Sequence, residues 1–338
     1  MISSLLDSPH LILTLVLSVV FVNGFTDAPN AIAACVSSHS LSPAAAVLMA
    51  AVCNLAGAVL MTLWNARVAE TVLGLADFGD NPAVARHALC VGMVTVTLWA
   101  LAAWRFGIPT SESHALLAAL SGAAVAVGGF SALRGEAWLR VGIGLLVSTL
   151  PAYLLGQGLV SLLARVFARV DRRRALPHFI HAQRLGAAVT AFLHGAQDGQ
   201  KFLGVMLLGL ALARGQQPAA DSSFASAALP AAACGLTMAA GTMLGGGRII
   251  KRVGMEMTRL DPVRGTAADG AAGAVLLLCS LAGLPVSTTH AKTCAIMGAG
   301  RAHGGKIRGH VVLDMVQAWI FTFPACAVLG YVLTRWLL

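Results

Sequence analysis

Asp27 and Asp198 each sit inside a long apolar run, where a carboxylate has no water to solvate it. A charge at that depth costs from a few to about 10 kcal/mol, so by default it marks a cation or proton site. Glycine recurs around each aspartate, in Gly24-Phe25-Thr26-Asp27-Ala28-Pro29-Asn30 and in Gly195-Ala196-Gln197-Asp198-Gly199-Gln200-Lys201. Together with Pro29 in the first copy, these residues are expected to break the helix and free carbonyls that coordinate an ion. The plainer alternative, an aspartate satisfied by a neighbouring helix, is weakened by its recurrence in two places.

Two further stretches have the composition of helix starts. They are Pro109-Thr110-Ser111-Glu112-Ser113-His114 and Pro285-Val286-Ser287-Thr288-Thr289-His290. Proline suits a first turn, and Ser/Thr hydroxyls accept from its free N–H groups. A helix N-terminus buried in a membrane and lined with hydroxyls is an anion site. Two such ends approaching from opposite faces would form one central pocket for a tetrahedral oxyanion. Ordinary capping at a membrane-surface turn would use the same residues. His114 and His290 fall one turn into these helices, either as packed side chains or as a ligand or proton relay. Lys201 takes the place of Asn30 in the repeat, and either neutralises the substrate or pairs with Asp198. Glu112 stands opposite Thr288, as a titratable carboxylate that couples protons or as a group facing an aqueous vestibule. Lys292 is expected to snorkel.

The elements that hold these residues must be membrane helices. Of 338 residues, 57% are hydrophobic and 11% charged, with a mean hydropathy of +0.79. A soluble domain carries about 25% charged residues. This composition excludes a soluble enzyme, a disordered chain and a disulfide-stapled secreted module. Apolar stretches run over 11–35, 43–64, 83–104, 110–127 and 138–164, then 182–213, 225–244, 266–282, 286–300 and 311–334. Arg165–Arg184, rich in arginine, separates the two sets of five as a basic linker, leaving halves 1–164 and 185–338. Asp27 lies 82 residues before Pro109, and Asp198 lies 87 before Pro285. Two motifs repeated in one order at nearly one spacing argue for internal duplication. With five segments in each half, the second copy enters from the other side and is inverted.

Loop charges support that inversion. If the odd-numbered loops face one side, that side holds fourteen of the 23 Lys and Arg, at 165–184, 248–264 and 301–308. The opposite side holds six: Arg67, Arg86, Arg134, Arg140, Arg214 and Arg335. The richer side is expected to be cytoplasmic, which puts both termini outside. The same loops could touch anionic lipid headgroups. The net charge of +9 therefore records topology, and no aromatic-interleaved patch suggests nucleic acid. The seven cysteines form no CxxC pair and read as small buried hydrophobes. No Lys or Arg precedes the first apolar run, so no cleaved signal peptide is expected. Gly245-Gly246-Gly247 has neither the strand nor the pattern of a nucleotide cradle.

Gly24–Ala31, Gly195–Lys201, Pro109–Ala115 and Pro285–Ala291, in that arrangement, resemble the signatures of the inorganic phosphate transporter (PiT) family of secondary permeases. The motifs bracket both halves, so the likeness covers nearly the whole chain. The resemblance implies symport of inorganic phosphate with Na+ or H+ by alternating access, with no enzyme activity and no cofactor. It also implies two re-entrant hairpins and commonly a homodimer. Carried over by position, it places the coupling cation (Na+ if sodium-coupled) at Asp27 and Asp198. It places phosphate ligands at Thr110, Ser111, Ser287, Thr288 and Thr289, with Asn30, Gln200 and Lys201 lining the same pocket. Glu112, His114 and His290 remain candidates for a proton relay. Thr26 and Gln197 stand where the family has asparagine before the aspartate, and Pro29 where a small residue is usual. The expectation is thus an all-α integral membrane protein of about ten hydrophobic segments in two inverted repeats, each with a broken helix and a re-entrant hairpin. Its place is the cell membrane, with phosphate, Na+ or H+ and lipids as partners. Another oxyanion such as sulfate is the nearest alternative substrate, and a membrane-embedded hydrolase a remote alternative.

Overall fold

Apolar runs of this length cannot leave backbone N–H and C=O groups unpaired in a bilayer, so each run closes its hydrogen bonds on itself as a helix. The computed structural model describes residues 9–79, 81–108, 110–215 and 227–338, and its elements are helices. Pro109 of the first hairpin motif and residues 225–226 of the seventh apolar stretch lie outside the described residues. The first half comprises α1 (Pro9–Thr26), α2 (Pro29–Ser37), α3 (Pro43–Trp64), α4 (Arg67–Leu73), α5 (Pro82–Phe106), α6 (Glu112–Gly128) and α7 (Gly135–Val166). The second comprises α8 (Arg172–Ala213), α9 (Ala228–Leu244), α10 (Gly247–Glu256), α11 (Pro262–Leu281), α12 (Thr288–Arg301) and α13 (Gly309–Leu337). The order recurs, with α8 in the place of α1 and α2. A 3-10 turn follows α6 at Phe130–Ala132 and α12 at Ala302–Gly304.

Among the described residues, five runs are long and apolar enough to cross a membrane unaided: His10–Ser37, Pro43–Trp64, Pro82–Phe106, Gly135–Val166 and Gly309–Leu337. A sixth counts if α9 and α10, bent by 64° at their junction, form one span. The remaining expected segments fall short for physical reasons. With 17 and 14 residues, α6 and α12 are too short to span. Asp198 and Lys201 interrupt α8, and Asp269 interrupts α11.

The helix break expected at both aspartates occurs at one. Between α1 and α2 the chain turns at Asp27 and Ala28, and Pro29 opens the new helix. Around Asp198, by contrast, α8 runs unbroken from Arg172 to Ala213. The difference lies in Pro29, which lacks an N–H and crowds the preceding turn, whereas glycine alone is tolerated in a helix. The motif glycines serve packing instead. A Cβ on Gly24 would strike the Met238 carbonyl of α9, and one on Gly195 would strike the main chain of Asn54 in α3.

Each half closes over the other. The hairpin helix α6 packs along α13, and its counterpart α12 packs along α7. Likewise α3 lies on α8, as α9 lies on α1. Ala137 and Val141 at the start of α7 share a core with Ala124 of α6 and Ala132 of the turn that follows it. Val160 and Leu163 at the other end of α7 pack with Ala299 and Ala302 at the end of α12. Since α7 is 32 residues long, or about 48 Å at 1.5 Å per residue, α6 and α12 leave toward opposite ends of the bundle. Their N-termini meet in the middle.

The basic segments gather at the end where α7 finishes. Arg308 N–H donates to Met257 O (3.0 Å), Arg264 to Ala302 O (3.4 Å) and Thr266 to Phe179 O (3.1 Å). At the far end Ile12 packs with Leu208 and Leu212, while Tyr331 lies beside Gly129 and Phe130. The start of α1 and the end of α13 therefore share the end opposite the basic loops.

Candidate functional site

Both hairpins turn through a glycine with positive φ, Gly107 (φ 67°) and Gly283 (φ 69°), a region that L side chains rarely adopt. Each then enters its helix through a serine cap. Ser111 Oγ accepts from His114 N–H and Ser287 Oγ accepts from His290 N–H, both at 3.2 Å. The remaining first-turn N–H groups of α6 and α12 supply the positive ends of two helix dipoles at the centre of the bundle. Around them lie buried hydroxyls at Thr110, Ser111, Ser287, Thr288 and Thr289.

The two aspartates are almost wholly enclosed, at 2% and 1% exposure. Asn30 Nδ2 donates to Asp27 Oδ1 at 2.8 Å and to Thr289 Oγ1 at 3.2 Å, and the Thr289 hydroxyl donates to Asp27 Oδ1. On the other side Lys201 Nζ lies 2.6 Å from Asp198 Oδ1, 2.6 Å from Ser113 Oγ and 2.5 Å from Val286 O. Asn23 Nδ2 reaches across the halves to Asp198 Oδ2 at 3.1 Å. His194 Nε2 stands 3.4 Å from the same oxygen, and its Nδ1 bonds Asn54 Oδ1 at 3.1 Å. Asp27, His194 and Asp198 offer ligand atoms within 4.8 Å of one another, a grouping that can hold a cation. The α6 and α12 hydroxyls thus meet the aspartates crosswise, Ser113 with Asp198 and Thr289 with Asp27.

Several oxygens around this network are unpartnered. Asp27 Oδ2, Asn30 Oδ1, Asn23 Oδ1 and Glu112 Oε2 are buried acceptors with no donor. A buried acceptor left unmet costs about 1–3 kcal/mol, and more for a charged one. Such oxygens suit a cation or protons. The Thr288 hydroxyl is also buried and unpaired, available for an anion at the α12 N-terminus. Glu112 is bonded by the Thr26 hydroxyl at the end of α1 and is 2% exposed, so it faces the aspartates rather than an open vestibule.

Two expected ligands have their polar groups committed to protein partners. The Gln200 amide is committed to main chain, accepting from Val68 N–H (3.2 Å) and donating to Asn65 O (2.8 Å). An ammonium has three N–H donors, and those of Lys201 match its three protein oxygens. His114 and His290 meet edge to face, with ring centroids 4.5 Å apart, and are flanked by Phe323 and Trp319 respectively. Nδ1 of His114 and both ring nitrogens of His290 lack a partner.

Sequence reasoning passed over Asn23, His194, Ser113 and Asp269. Asn23 and His194 each precede an aspartate by four residues, one helical turn, and occupy matching places in the repeat. That match was the available signal. Ser113 is likewise the counterpart of Thr289. Asp269 pairs with Lys292, with both side chains 0–1% exposed, so Lys292 does not snorkel. Its helix is too deeply enclosed for the ammonium to reach an interface, and Asp269 neutralises it in place.

The chain matches the phosphate transporter family over residues 23–330. It is 33% identical to a Bacillus subtilis protein described as a probable low-affinity inorganic phosphate transporter, over 92% of this chain and 91% of that one. A Mycobacterium tuberculosis (strain H37Rv) protein with the same description is 35% identical, over 92% of this chain and 73% of that one. Among solved structures, one described as the sodium-dependent phosphate transporter aligns with a TM-score of 0.87 over 97% of this chain and 98% of that one. At 20% identity, that likeness establishes shared architecture.

Proposed function

The chain belongs to the phosphate transporter family, and from that premise we propose that it carries inorganic phosphate across the cell membrane by symport with Na+ or H+. It is a transporter rather than an enzyme. One observation carries the symport reading: two capped helix N-termini converge from opposite ends on a pair of buried aspartates. Phosphate binds between those ends, where first-turn N–H groups and the hydroxyls of Thr110, Ser111, Ser287, Thr288 and Thr289 replace its hydration. The coupling cation binds at the Asp27–Asp198 pair and reduces the repulsion between carboxylate and phosphate. Each ligand then strengthens the other, and the effect is necessarily reciprocal. The sodium dependence in the name of the solved relative supports Na+ as one coupling ion. The unpartnered oxygens of Asp27 and Glu112 suit either Na+ or H+.

The halves 1–164 and 185–338 act as inverted repeats, and the hairpins α5–α6 and α11–α12 re-enter the membrane from opposite sides. Rocking of each hairpin with the helix of the other half that covers it exposes the site to alternate faces. The basic end is cytoplasmic by loop charge, which places both termini outside, and its arginines meet anionic lipid headgroups. On the family resemblance the working unit is a homodimer.

Purified protein in liposomes, given phosphate and imposed Na+ and H+ gradients separately, tests the reading. Uptake driven by at least one gradient is expected, and its loss in Asp27→Asn. Absence of gradient-driven uptake in the wild type, or wild-type rates in Asp27→Asn, would refute it.

A further inference from the structure

The repeat sets two carboxylate sites side by side, and they are satisfied in different ways. Asp27 pairs with Asn30 and Thr289, while Asp198 pairs with Lys201 and Ser113. Counted from the aspartates, Asn30 and Lys201 hold the same position, three residues on. Counted from the capping serines, Thr289 and Ser113 also correspond, as do Val286 and Thr110. Asn30 donates to its aspartate and to the facing hydroxyl, and Lys201 does the same at its own. The two arrangements differ above all in charge. Lys201 brings a positive charge and Asn30 brings none.

The Lys201 ammonium is surrounded as a bound metal cation would be, by a carboxylate oxygen, a hydroxyl oxygen and a main-chain carbonyl oxygen at 2.5–2.6 Å. Both oxygens of Asp198 are engaged, Oδ1 by Lys201 and Oδ2 by Asn23, with His194 nearby. On the Asp27 side three acceptor oxygens, those of Asp27, Asn30 and Glu112, remain unmet in the protein interior. A buried carboxylate without a counter-charge is strongly disfavoured, whereas one paired and hydrogen-bonded is tolerated.

Resting on the symport reading above, we propose that Lys201 is a tethered cation that permanently fills the Asp198 half of a two-fold cation site, so that one mobile cation, bound on the Asp27 side, accompanies each phosphate. The residue expected from the resemblance to line the phosphate pocket instead substitutes for a second coupling ion.

The test is the cation-to-phosphate ratio, read as the gradient at which net phosphate flux reverses in liposomes held at zero potential. Against a 100-fold outward phosphate gradient, one cation per phosphate balances at about a 100-fold cation gradient and two at about 10-fold, because equal free energies cancel. The wild type should reverse near 100-fold. Lys201→Asn, which copies the Asn30 arrangement, should reverse near 10-fold. A wild type reversing near 10-fold overturns the proposal, as does an active Lys201→Asn reversing with the wild type. A folded but inactive Lys201→Asn is read by its thermal stabilisation against the concentration of the driving cation. A steeper dependence than the wild type supports the tethered cation, and an equal one overturns it. If Lys201→Asn is not recovered folded, the wild-type ratio decides alone. Failure of any cation gradient to drive wild-type uptake would instead refute the symport reading itself, a separate result.

Discussion

Replacing Lys292 by methionine should leave the carboxylate of Asp269 buried beside an apolar side chain, with nothing to neutralise it. The pair is 0–1% exposed, and Asp269 packs beside Gly186 of α8. Removing one partner of a buried ion pair costs about 3–5 kcal/mol, because the survivor keeps its desolvation penalty and loses its compensation. For proteins of a few hundred residues each kcal/mol lowers Tm by roughly 2 °C, so a fall of about 6–10 °C is expected. Asp269→Val should cost as much for the reciprocal reason. The double variant Asp269→Val/Lys292→Met removes both charges and should recover most of the loss. The protein already contains an apolar version of this contact. Counted from the turn glycines Gly107 and Gly283, the corresponding positions in the first half are Met93 and Leu116, both fully buried in its core. The assay is the thermal unfolding midpoint of the four detergent-solubilised proteins, assembled as a double-mutant cycle. Single variants with an unchanged Tm, or a double variant as unstable as the two losses added, would refute the reasoning.

Two further predictions concern the site and its scaffold. Ser111→Ala and Ser287→Ala each remove a helix cap, worth about 1 kcal/mol, and a hydroxyl from the proposed phosphate pocket. Each should raise the KM for phosphate roughly 5- to 10-fold at unchanged maximal rate, about 1–1.4 kcal/mol. Unchanged KM in both would remove these serines from the pocket. Gly195→Ala drives a methyl group into the main chain of Asn54, a contact that cannot give way. It should abolish recovery of monodisperse protein, and a normal yield would contradict the close packing of α3 on α8.

The residues that sequence reasoning located share one property: each looks out of place where it stands. An aspartate in an apolar run or a Ser/Thr row after proline is conspicuous without any fold, and Asp27, Asp198, Ser111 and Ser287 all lie at the centre. Asn23 and His194 escaped notice because their polarity is ordinary and their importance comes from facing the opposite half. Gln200 shows the converse. It lies within a motif, yet its helix face turns its amide toward the main chain ahead of α4. The pairing of Asp269 with Lys292 depends on the register between α11 and α12, which no local pattern records. Continuity through Asp198 is likewise hidden: glycine flanks both aspartates and suggests two breaks, but only the copy with Pro29 has one.

The packing of α6 along α13 also bears on how the molecule is made. Residues 112–128 of α6 are covered by a helix that begins at Gly309, close to the end of the chain. Some 200 residues separate the two, roughly 10–40 s of synthesis at 5–20 residues per second. Throughout that interval the first hairpin, with His114 still lacking Phe323 beside it, waits in the bilayer without its final cover. A nascent chain released before α13 would leave that face of α6 open to lipid, so the cover of a first-half hairpin waits on a helix made long after it.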